Sequence, residues 1–259
     1  MKVAVLGAGA FGTALGGLLA ANGYDVDYYD SKLERERLCD TLNKAVAVVL
    51  CVPSVAAPHL LPYLPTKKPF IVATKGILTD EVFDRFDDYM VLSGPGFADD
   101  IKAHQKTLLT VTDKRLKEMF QAEYMEFDMT NDRKGVLMCG ALKNVYAILA
   151  GLWGLERGTG PWRAFVDEAA QEMKELLLAN GAKPGTVDLA CGRGDLELTC
   201  GLPSRNYEFG LKVRNGGGTH PEKTVEGLSA LKRICRGEIK VPESLKKLRF
   251  IMEEDRKWD

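Results

Sequence analysis

The sequence predicts an α/β fold: an N-terminal domain with a doubly wound, mainly parallel sheet, followed by an all-helical C-terminal domain. Over roughly the first 110 residues, short β-rich segments alternate with helical or polar stretches, as in strands joined by crossovers. A glycine-rich turn follows the first of these segments. Beyond residue 132, apolar residues recur only at helical spacing. We therefore expect domains at residues 1–130 and 131–259.

The N-terminal domain is predicted to hold six strands and a helix that follows the first of them. The strands are expected at residues 3–6, 26–29, 45–52, 70–74, 90–92 and 108–112, and the helix at 12–22. The third strand is apolar throughout, which is typical of a strand buried on both faces of a parallel sheet. In the C-terminal domain, the spacing predicts helices at residues 136–152, 163–180, 225–236 and 244–255.

The composition is that of an ordinary globular protein, with 46% hydrophobic and 27% charged residues. The 35 basic and 36 acidic side chains nearly balance, which excludes a wholesale attraction to nucleic acid or anionic membranes. The apolar run at residues 45–52 is far shorter than the ~20 residues that span a bilayer. Glycines interrupt the apolar N-terminus, unlike a signal peptide. We expect a cytoplasmic protein without a membrane span.

The six cysteines and three histidines do not suggest a metal site. No two cysteines form a CxxC pair, and no histidine is spaced with another histidine or cysteine as zinc ligands are. We expect reduced thiols and no metal.

A GxGxxG motif lies between the first strand and the first helix, at Gly7, Gly9 and Gly12. In that context the first glycine permits a tight turn, and the second lets the backbone approach a pyrophosphate at the helix N-terminus. The third allows the helix to pack closely on the strand. The motif predicts a dinucleotide site; a glycine-rich turn without a ligand is the alternative.

Asp30 ends the second predicted strand, where a carboxylate accepts hydrogen bonds from the adenosine ribose. It would repel a 2′-phosphate, so it favours NAD over NADP. Lys32 is the opposing signal, because it could bind such a phosphate. The alternative for Asp30 is a simple turn residue.

Three further loops follow predicted strands: residues 52–54 with Pro53, residues 73–76 with Lys75, and residues 93–98. The carboxyl ends of parallel strands line the ligand crevice of a doubly wound sheet. We therefore expect these loops to meet at one site. A solvated surface charge is the alternative for Lys75.

The helical half contains two groups of candidate catalytic or ligand-binding residues. Lys143 lies in the middle of an apolar helix, where it either extends to solvent or is partly buried with a lowered pKa. Asp195 is a candidate charge partner for it. Ser204 and Asn206 place two neutral hydrogen-bonding groups on either side of the Arg205 guanidinium, an arrangement that suits a phosphate or carboxylate ligand. Their alternative is an ordinary helix start.

Together these motifs resemble the NAD(P)-dependent glycerol-3-phosphate dehydrogenases. The similarity runs through most of the chain in one order: GAGAFGTAL, VPS, ATKGI, SGPGFA, GALKNVYAILAG, GDLELTC, SRNYEFG and VEG. The resemblance implies reversible hydride transfer between glycerol 3-phosphate and dihydroxyacetone phosphate. It also implies a Rossmann domain followed by a helical domain, often in a dimer, and NAD as cofactor, with NADP as the alternative.

The resemblance also implies roles for individual residues. Lys143 matches the general acid/base, assisted by Lys75 and Asp195. The substrate-binding set is Lys75, Gly94, Gly96, Asn144, Asp195, Thr199, Ser204, Arg205 and Asn206. The cofactor-binding set is Gly7, Gly9, Ala10, Phe11, Gly12, Asp30, Pro53, Lys75, Ala98, Arg205 and Glu226.

The sequence departs from the family in three places. The stretch between Asp30 and Ala45 lacks most of the helical and strand material usual there, and the C-terminal helical region is trimmed. Gly160 replaces the family's usual asparagine. The first departure concerns the adenosine side and the third the active site.

Two rival functions remain at this stage. A dehydrogenase of the 3-hydroxyacid or opine type would have the same domains but a carboxylate substrate. A non-catalytic NAD-binding sensor is suggested by the short chain and by Gly160. The joint presence of six polar residues argues against the sensor: Lys75, Lys143, Asp195, Thr199, Arg205 and Asn206.

Overall fold

The computed structural model describes residues 1–30, 35–217, 219–221 and 224–255, and these form two compact units. The first unit comprises Met1–Thr74 and Asp80–Arg133, and the second comprises Lys75–Thr79 and Lys134–Asp259. The short segment Lys75–Thr79 follows a strand of the first unit but belongs to the second.

The first unit is built on a seven-stranded sheet in the order β2-β1-β3-β4-β5-β6-β7. The strands are β1 Lys2–Leu6, β2 Asp25–Tyr29, β3 Ala47–Leu50, β4 Phe70–Val72, β5 Tyr89–Ser93, β6 Thr107–Val111 and β7 Met125–Met129. Neighbouring strands are parallel except β5 and β6, which are antiparallel. The predicted α/β class and mainly parallel sheet are therefore confirmed.

Among the described residues, the first unit also has five α-helices and the second has six, besides short 3-10 and π-helical turns. The former are α1 Ala10–Ala21, α2 Arg35–Lys44, α3 Ala57–Leu60, α4 Ala98–Lys102 and α5 Lys114–Met119. The latter are α6 Arg133–Leu152, α7 Gly160–Ala179, α8 Asp195–Thr199, α9 Arg205–Arg214, α10 Glu226–Cys235 and α11 Lys246–Asp255. All six predicted strands and all five predicted helices are present, with ends shifted by a few residues.

The stretch between Asp30 and Ala45, which was predicted to lack most of the family's usual helical material, contains α2, a helix that the sequence pattern did not predict. Its end is held by Lys68, whose Nζ donates to the carbonyl oxygens of Leu42 at 2.8 Å and Ala45 at 2.6 Å. A lysine at this position satisfies carbonyls that have no partner within the helix. The segment thus still closes into a capped helix, which packs against β2 and β1.

Helix α6 is the centre of the second unit, and residues 135–151 are all buried. Glycines of α9 and α10 lie directly against its backbone. A Cβ at Gly210 would lie 2.0 Å from the carbonyl oxygen of Ile148, and one at Gly227 would lie 2.3 Å from that of Asn144. Only glycine permits this close approach of α9 and α10 to the backbone of α6.

By length and hydropathy α6 is also the one described helix that could cross a membrane, and 94% of its most apolar window is buried within the protein. Burial of that kind is found in the core helices of soluble proteins, which pass the same test.

Glu172 of α7 caps α11 from a buried position. Its carboxylate accepts hydrogen bonds from the backbone N–H groups of Lys247 at 2.8 Å and Leu248 at 3.0 Å. It also accepts the hydroxyl of Tyr146 at 2.9 Å, and burial together with this carboxylate raises the pKa of Tyr146 well above its usual value. One side chain therefore links α6, α7 and α11.

We expect Glu172→Ala to lower the free energy of unfolding by about 3 kcal/mol or more, because it leaves three buried donors unsatisfied. Urea denaturation measures the change. The matched control is Gln171→Ala, an exposed position on the same helix. Equal stability of the two variants would contradict the capping role.

Candidate active site

Lys143 projects from α6 into a buried polar cluster. Its Nζ donates to Oδ1 of Asp195 at 2.5 Å and to Oγ1 of Thr199 at 3.1 Å. The lysine is only 4% exposed. Of the two predicted environments, solvent or burial, the structure places this amine in the second.

Asp195 joins the two predicted catalytic lysines through one carboxylate. While Oδ1 accepts from Lys143, Oδ2 accepts from Nζ of Lys75 at 3.0 Å. Asp195 is the first residue of α8 and is 1% exposed, whereas the Lys75 side chain is 22% exposed. Three residues far apart in the chain therefore form one charged cluster, with Lys75 on its open side.

The environment of Lys143 favours a neutral amine more strongly than that of an ordinary lysine. Burial is the largest cause, the neighbouring charge of Lys75 acts in the same direction, and the carboxylate of Asp195 opposes both. Together they lower the pKa of Lys143 to about 7. An amine with such a pKa can both give and take a proton near neutrality.

Helix α8, which carries Asp195 and Thr199, is held at its C-terminal end by two side chains that sequence reasoning missed. The Arg157 guanidinium donates to the carbonyl oxygens of Glu197, at 2.8 Å, and Leu198. The indole N–H of Trp162 donates to the carbonyl of Cys200 at 2.6 Å. Because both donors bind backbone carbonyls, no sequence motif signals them.

Gly160, the predicted departure from the family, lies between these two donors at the start of α7. A Cβ added there would meet no atom within 4 Å. The position therefore has room for a larger side chain, and its neighbours Arg157 and Trp162 hold the adjacent segment without one.

A buried chain of amides connects α6, α9 and α10. Asn144 donates to the carbonyl of Gly140 at 2.9 Å, Asn206 donates to Oδ1 of Asn144 at 2.8 Å, and the Gly227 N–H donates to Oδ1 of Asn206 at 2.9 Å. Each amide oxygen accepts one bond. The structure thus engages Asn144 and Asn206, both predicted substrate contacts, in a network that also fixes the helix after Glu226.

Arg205 and its neighbours lie at the start of α9. Ser204 precedes the helix and is buried, while Arg205 is its first residue and is exposed. The Arg205 guanidinium has no hydrogen bond or ion pair to any residue that the structure describes. Glu226, a predicted cofactor contact, is the first residue of α10 and is half-buried.

In the first unit, the turn between β1 and α1 has the features of a pyrophosphate site. Gly7 has a φ of +107°, a value that favours glycine. Gly9 precedes α1 without a side-chain cap, and the first turn, which begins with Ala10 and Phe11, contains no acidic residue. A Cβ at Gly12 would lie 1.9 Å from the carbonyl oxygen of Gly7. The open helix N-terminus therefore fits the dinucleotide that the motif predicts.

The other predicted cofactor and substrate residues of this unit follow the ends of parallel strands. Asp30 directly follows β2, and Pro53 lies after β3. Gly94, with a φ of +152°, and Gly96 follow β5 and lead to Ala98 at the start of α4. Lys32 lies outside the described residues. Among the described residues, no cluster of three His, Cys, Asp or Glu side chains could hold a metal ion.

Comparison with known proteins decides the family. Two family sequence models match the chain. Residues 2–58 match the one for the NAD-dependent glycerol-3-phosphate dehydrogenase N-terminus, and residues 132–245 match the one for the C-terminus of the same family. The chain belongs to the NAD-dependent glycerol-3-phosphate dehydrogenase family. A glycerol-3-phosphate dehydrogenase [NAD(P)+] from Leptospira biflexa is 33% identical, over 96% of this chain and 88% of that protein. One from Citrifermentans bemidjiense is 31% identical, over 94% and 86%.

Solved glycerol-3-phosphate dehydrogenases share the fold. The Coxiella burnetii enzyme has a TM-score of 0.82 at 24% identity, covering 98% of this chain and 95% of that one. The Saccharomyces cerevisiae enzyme has a TM-score of 0.79 at 17% identity, covering 98% and 95%. The predicted resemblance and fold, and the nicotinamide cofactor class, are confirmed at the level of the family.

Proposed function

We propose that this glycerol-3-phosphate dehydrogenase family member reduces dihydroxyacetone phosphate to glycerol 3-phosphate with NAD(P)H, and catalyses the reverse reaction. The observation that carries the proposal is the buried amine of Lys143 on the carboxylate of Asp195, with a pKa lowered to about 7. A ketone reduction adds a hydride to carbon and a proton to oxygen. The cluster provides the group for the second of these additions.

Lys143 is the proposed general acid. Its ammonium donates a proton to the C2 oxygen as the carbonyl is reduced, and the neutral amine takes that proton back in the oxidation. The bound nicotinamide supplies or accepts the hydride. Asp195 orients the lysine, and the charge of Lys75 stabilises the negative charge that develops on the oxygen.

Arg205 is the proposed anchor for the substrate phosphate, supported by its exposure and by the buried Ser204 and Asn206 beside it. A guanidinium binds a phosphate through two parallel hydrogen bonds. Fixing the phosphate orients C2 before the barrier is reached. The remaining proposed substrate contacts are Gly94, Gly96, Asn144 and Thr199.

The proposed cofactor site consists of the open turn before α1 and the loops that follow the strands. Gly7, Gly9 and Gly12 support it through backbone geometry that leaves the helix N-terminus accessible to a pyrophosphate. The other members are Ala10, Phe11, Asp30, Pro53, Lys75, Ala98, Arg205 and Glu226.

A turnover assay with dihydroxyacetone phosphate and NADH tests the activity. We expect efficient oxidation of NADH with the phosphorylated ketone and far less with dihydroxyacetone itself or with a 2-oxo acid. Preference for a carboxylate substrate would favour the 3-hydroxyacid or opine type of dehydrogenase. Binding of NADH without turnover of any of these substrates would favour the sensor.

We expect NADH to be preferred over NADPH, because Asp30 would repel a 2′-phosphate at the end of β2. Asp30→Ala should reduce the ratio of kcat/KM for NADH to that for NADPH. The control is Asp25→Ala, at the exposed start of the same strand. A native preference for NADPH would contradict the assignment and direct attention to Lys32.

We also propose that the chain works as two domains, residues 1–130 and 131–259, within a cytoplasmic homodimer. The family resemblance supports this arrangement, as do the separate N-terminal and C-terminal family matches. Light scattering tests the oligomer: a dimer has twice the chain mass of 28.5 kDa. A mass of one chain at assay concentration would contradict it.

A further inference from the structure

Arg233 of α10 binds the backbone next to Lys75. Its Nη1 donates to the carbonyl oxygen of Gly76 at 2.9 Å. Gly76 has a φ of +96°, in the left-handed region that favours glycine. Both residues lie within the second unit, to which the segment Lys75–Thr79 belongs. A side chain from α10 thus fixes the Gly76–Ile77 peptide, one residue after a proposed catalytic lysine.

Glu238 holds the opposite edge of the same guanidinium. Its carboxylate accepts from Nε of Arg233 at 2.5 Å and also from Nη2. Arg233 therefore makes a two-pronged ion pair on one edge while Nη1 remains directed at Gly76. The Arg233 side chain is 26% exposed and that of Glu238 is 28% exposed, so water screens the pair only in part.

The end of α10 explains why Glu238 reaches Arg233. Gly237 has a φ of +83°, its N–H donates to the carbonyl of Ile234 at 2.9 Å, and the N–H of Glu238 donates to that of Arg233 at 3.2 Å. These two bonds form a Schellman motif, which folds the chain back over the last turn. The local sequence from Arg233 to Glu238 therefore builds its own ion pair.

We infer that Arg233, oriented by Glu238, is a positioning residue for Lys75. The inference rests on the proposed function, in which Lys75 acts on the substrate oxygen. A lysine side chain has four flexible carbons, so the direction of its ammonium depends on a fixed starting point. Arg233 fixes the backbone beside Lys75 by its hydrogen bond to the Gly76 carbonyl. At the other end of the side chain, Nζ of Lys75 donates to Oδ2 of Asp195 at 3.0 Å.

The position of Arg233 on α10 also links this loop to the cofactor contact predicted by the family resemblance. Arg233 is seven residues after Glu226, and residues seven apart lie on the same face of a helix. One helical face therefore carries Glu226 at its start and the residue that fixes the Lys75 loop near its end.

Four single variants test the inference. Arg233→Met should lower kcat/KM for dihydroxyacetone phosphate by about tenfold or more, since small misplacements of a reacting group are costly. Arg233→Lys should recover part of the loss, and Glu238→Gln should cause a smaller loss. Arg236→Met is the matched control, because Arg236 is an exposed arginine at the end of the same helix. The affinity for NADH should change no more than it does in Lys75→Met, because Lys75 is also a proposed cofactor contact.

The double variant Lys75→Met/Arg233→Met separates positioning from other roles. If Arg233 acts through Lys75, the double variant should equal Lys75→Met within about twofold, because coupled residues are not additive. Multiplied losses would overturn the inference and leave the role of Lys75 intact. A wild-type kcat/KM in Lys75→Met would instead remove the proposed role of Lys75, and the positioning inference with it.

Hydrogen exchange provides a readout that does not depend on turnover. The amides of residues 76–79 should exchange faster in Arg233→Met than in Arg236→Met, and Glu238→Gln should show the same change to a smaller extent. Unchanged exchange in both Arg233→Met and Glu238→Gln would overturn the inference even if their activity fell.

Discussion

Lys143→Met is expected to lower kcat by about 10²- to 10⁴-fold, the usual contribution of general acid–base catalysis. Methionine keeps the length and apolar packing of the buried chain but cannot carry the proton. Steady-state kinetics with dihydroxyacetone phosphate and NADH measures the loss. NADH binding should stay close to that of the wild type, because Lys143 contributes to neither the first unit nor its dinucleotide turn. Circular dichroism should show that the variant is folded.

Lys75 is the competing proton donor, and the pH profile of kcat separates the two lysines. Lys75→Met should weaken substrate binding as well as turnover, since Lys75 acts as a charge near the oxygen. It should keep the ionisation seen in the wild-type profile. If Lys75→Met removes that ionisation while Lys143→Met retains it, the two roles must be exchanged.

The lowered pKa of Lys143 fixes the sign of the pH dependence. Ketone reduction needs the ammonium, so kcat/KM should fall as pH rises through about 7. Oxidation of glycerol 3-phosphate needs the neutral amine, so its rate should rise over the same range. Asp195→Asn should move both midpoints to lower pH, because the carboxylate of Asp195 raises the pKa of Lys143.

The same shift affects stability. The pKa of Lys143 is about 7 in the folded protein and 10.5 in an ordinary lysine, so the unfolded chain binds more protons between these values. The contribution of Lys143 to the free energy of unfolding therefore increases with pH across this window. Below pH 7 both states are protonated, and the penalty for burying the charge is fully present.

The sequence predicted the sheet well because its evidence is local. The buried strand β3 is a continuous apolar run, and the turn at Gly7 is specified by glycines at fixed spacing. Several elements gave no comparable signal, among them β7 and α2. Strand β7 alternates irregularly at the edge of the sheet, with only Met125 buried, and in α2 the buried apolar side chains are Leu38 and Leu42, too few to establish a helical period.

The candidate site was predictable in its residues but not in its contacts. The family resemblance named Lys143 and Asp195, yet the residues alone did not decide whether the lysine is buried. That depends on where the fold brings α8, whose Asp195 and Thr199 accept from the Lys143 amine. The sequence did not predict the roles of Arg157 and Arg233, because each donates to a backbone carbonyl. Every residue has such a carbonyl, so no particular residue type marks the acceptor.

Arg205→Ala is expected to reduce kcat/KM for dihydroxyacetone phosphate by about 30-fold to several thousand-fold, corresponding to ~2–5 kcal/mol for a charged partner left unpaired in the bound complex. The exposed guanidinium at the start of α9 has no hydrogen bond or ion pair to a described residue, so its removal should leave the free protein's fold unchanged. Circular dichroism and thermal unfolding check that expectation. Most of the kinetic loss should appear in KM.

Two comparisons make this anchor falsifiable. Arg205→Lys keeps the charge but loses the two-pronged geometry, so it should bind the phosphorylated ketone better than Arg205→Ala and worse than the wild type. Dihydroxyacetone lacks the phosphate, so Arg205→Ala should reduce its slow turnover little or not at all. Equal losses with both ketones would show that Arg205 acts on something other than the phosphate. Efficient turnover of dihydroxyacetone by the wild type would remove the anchor altogether.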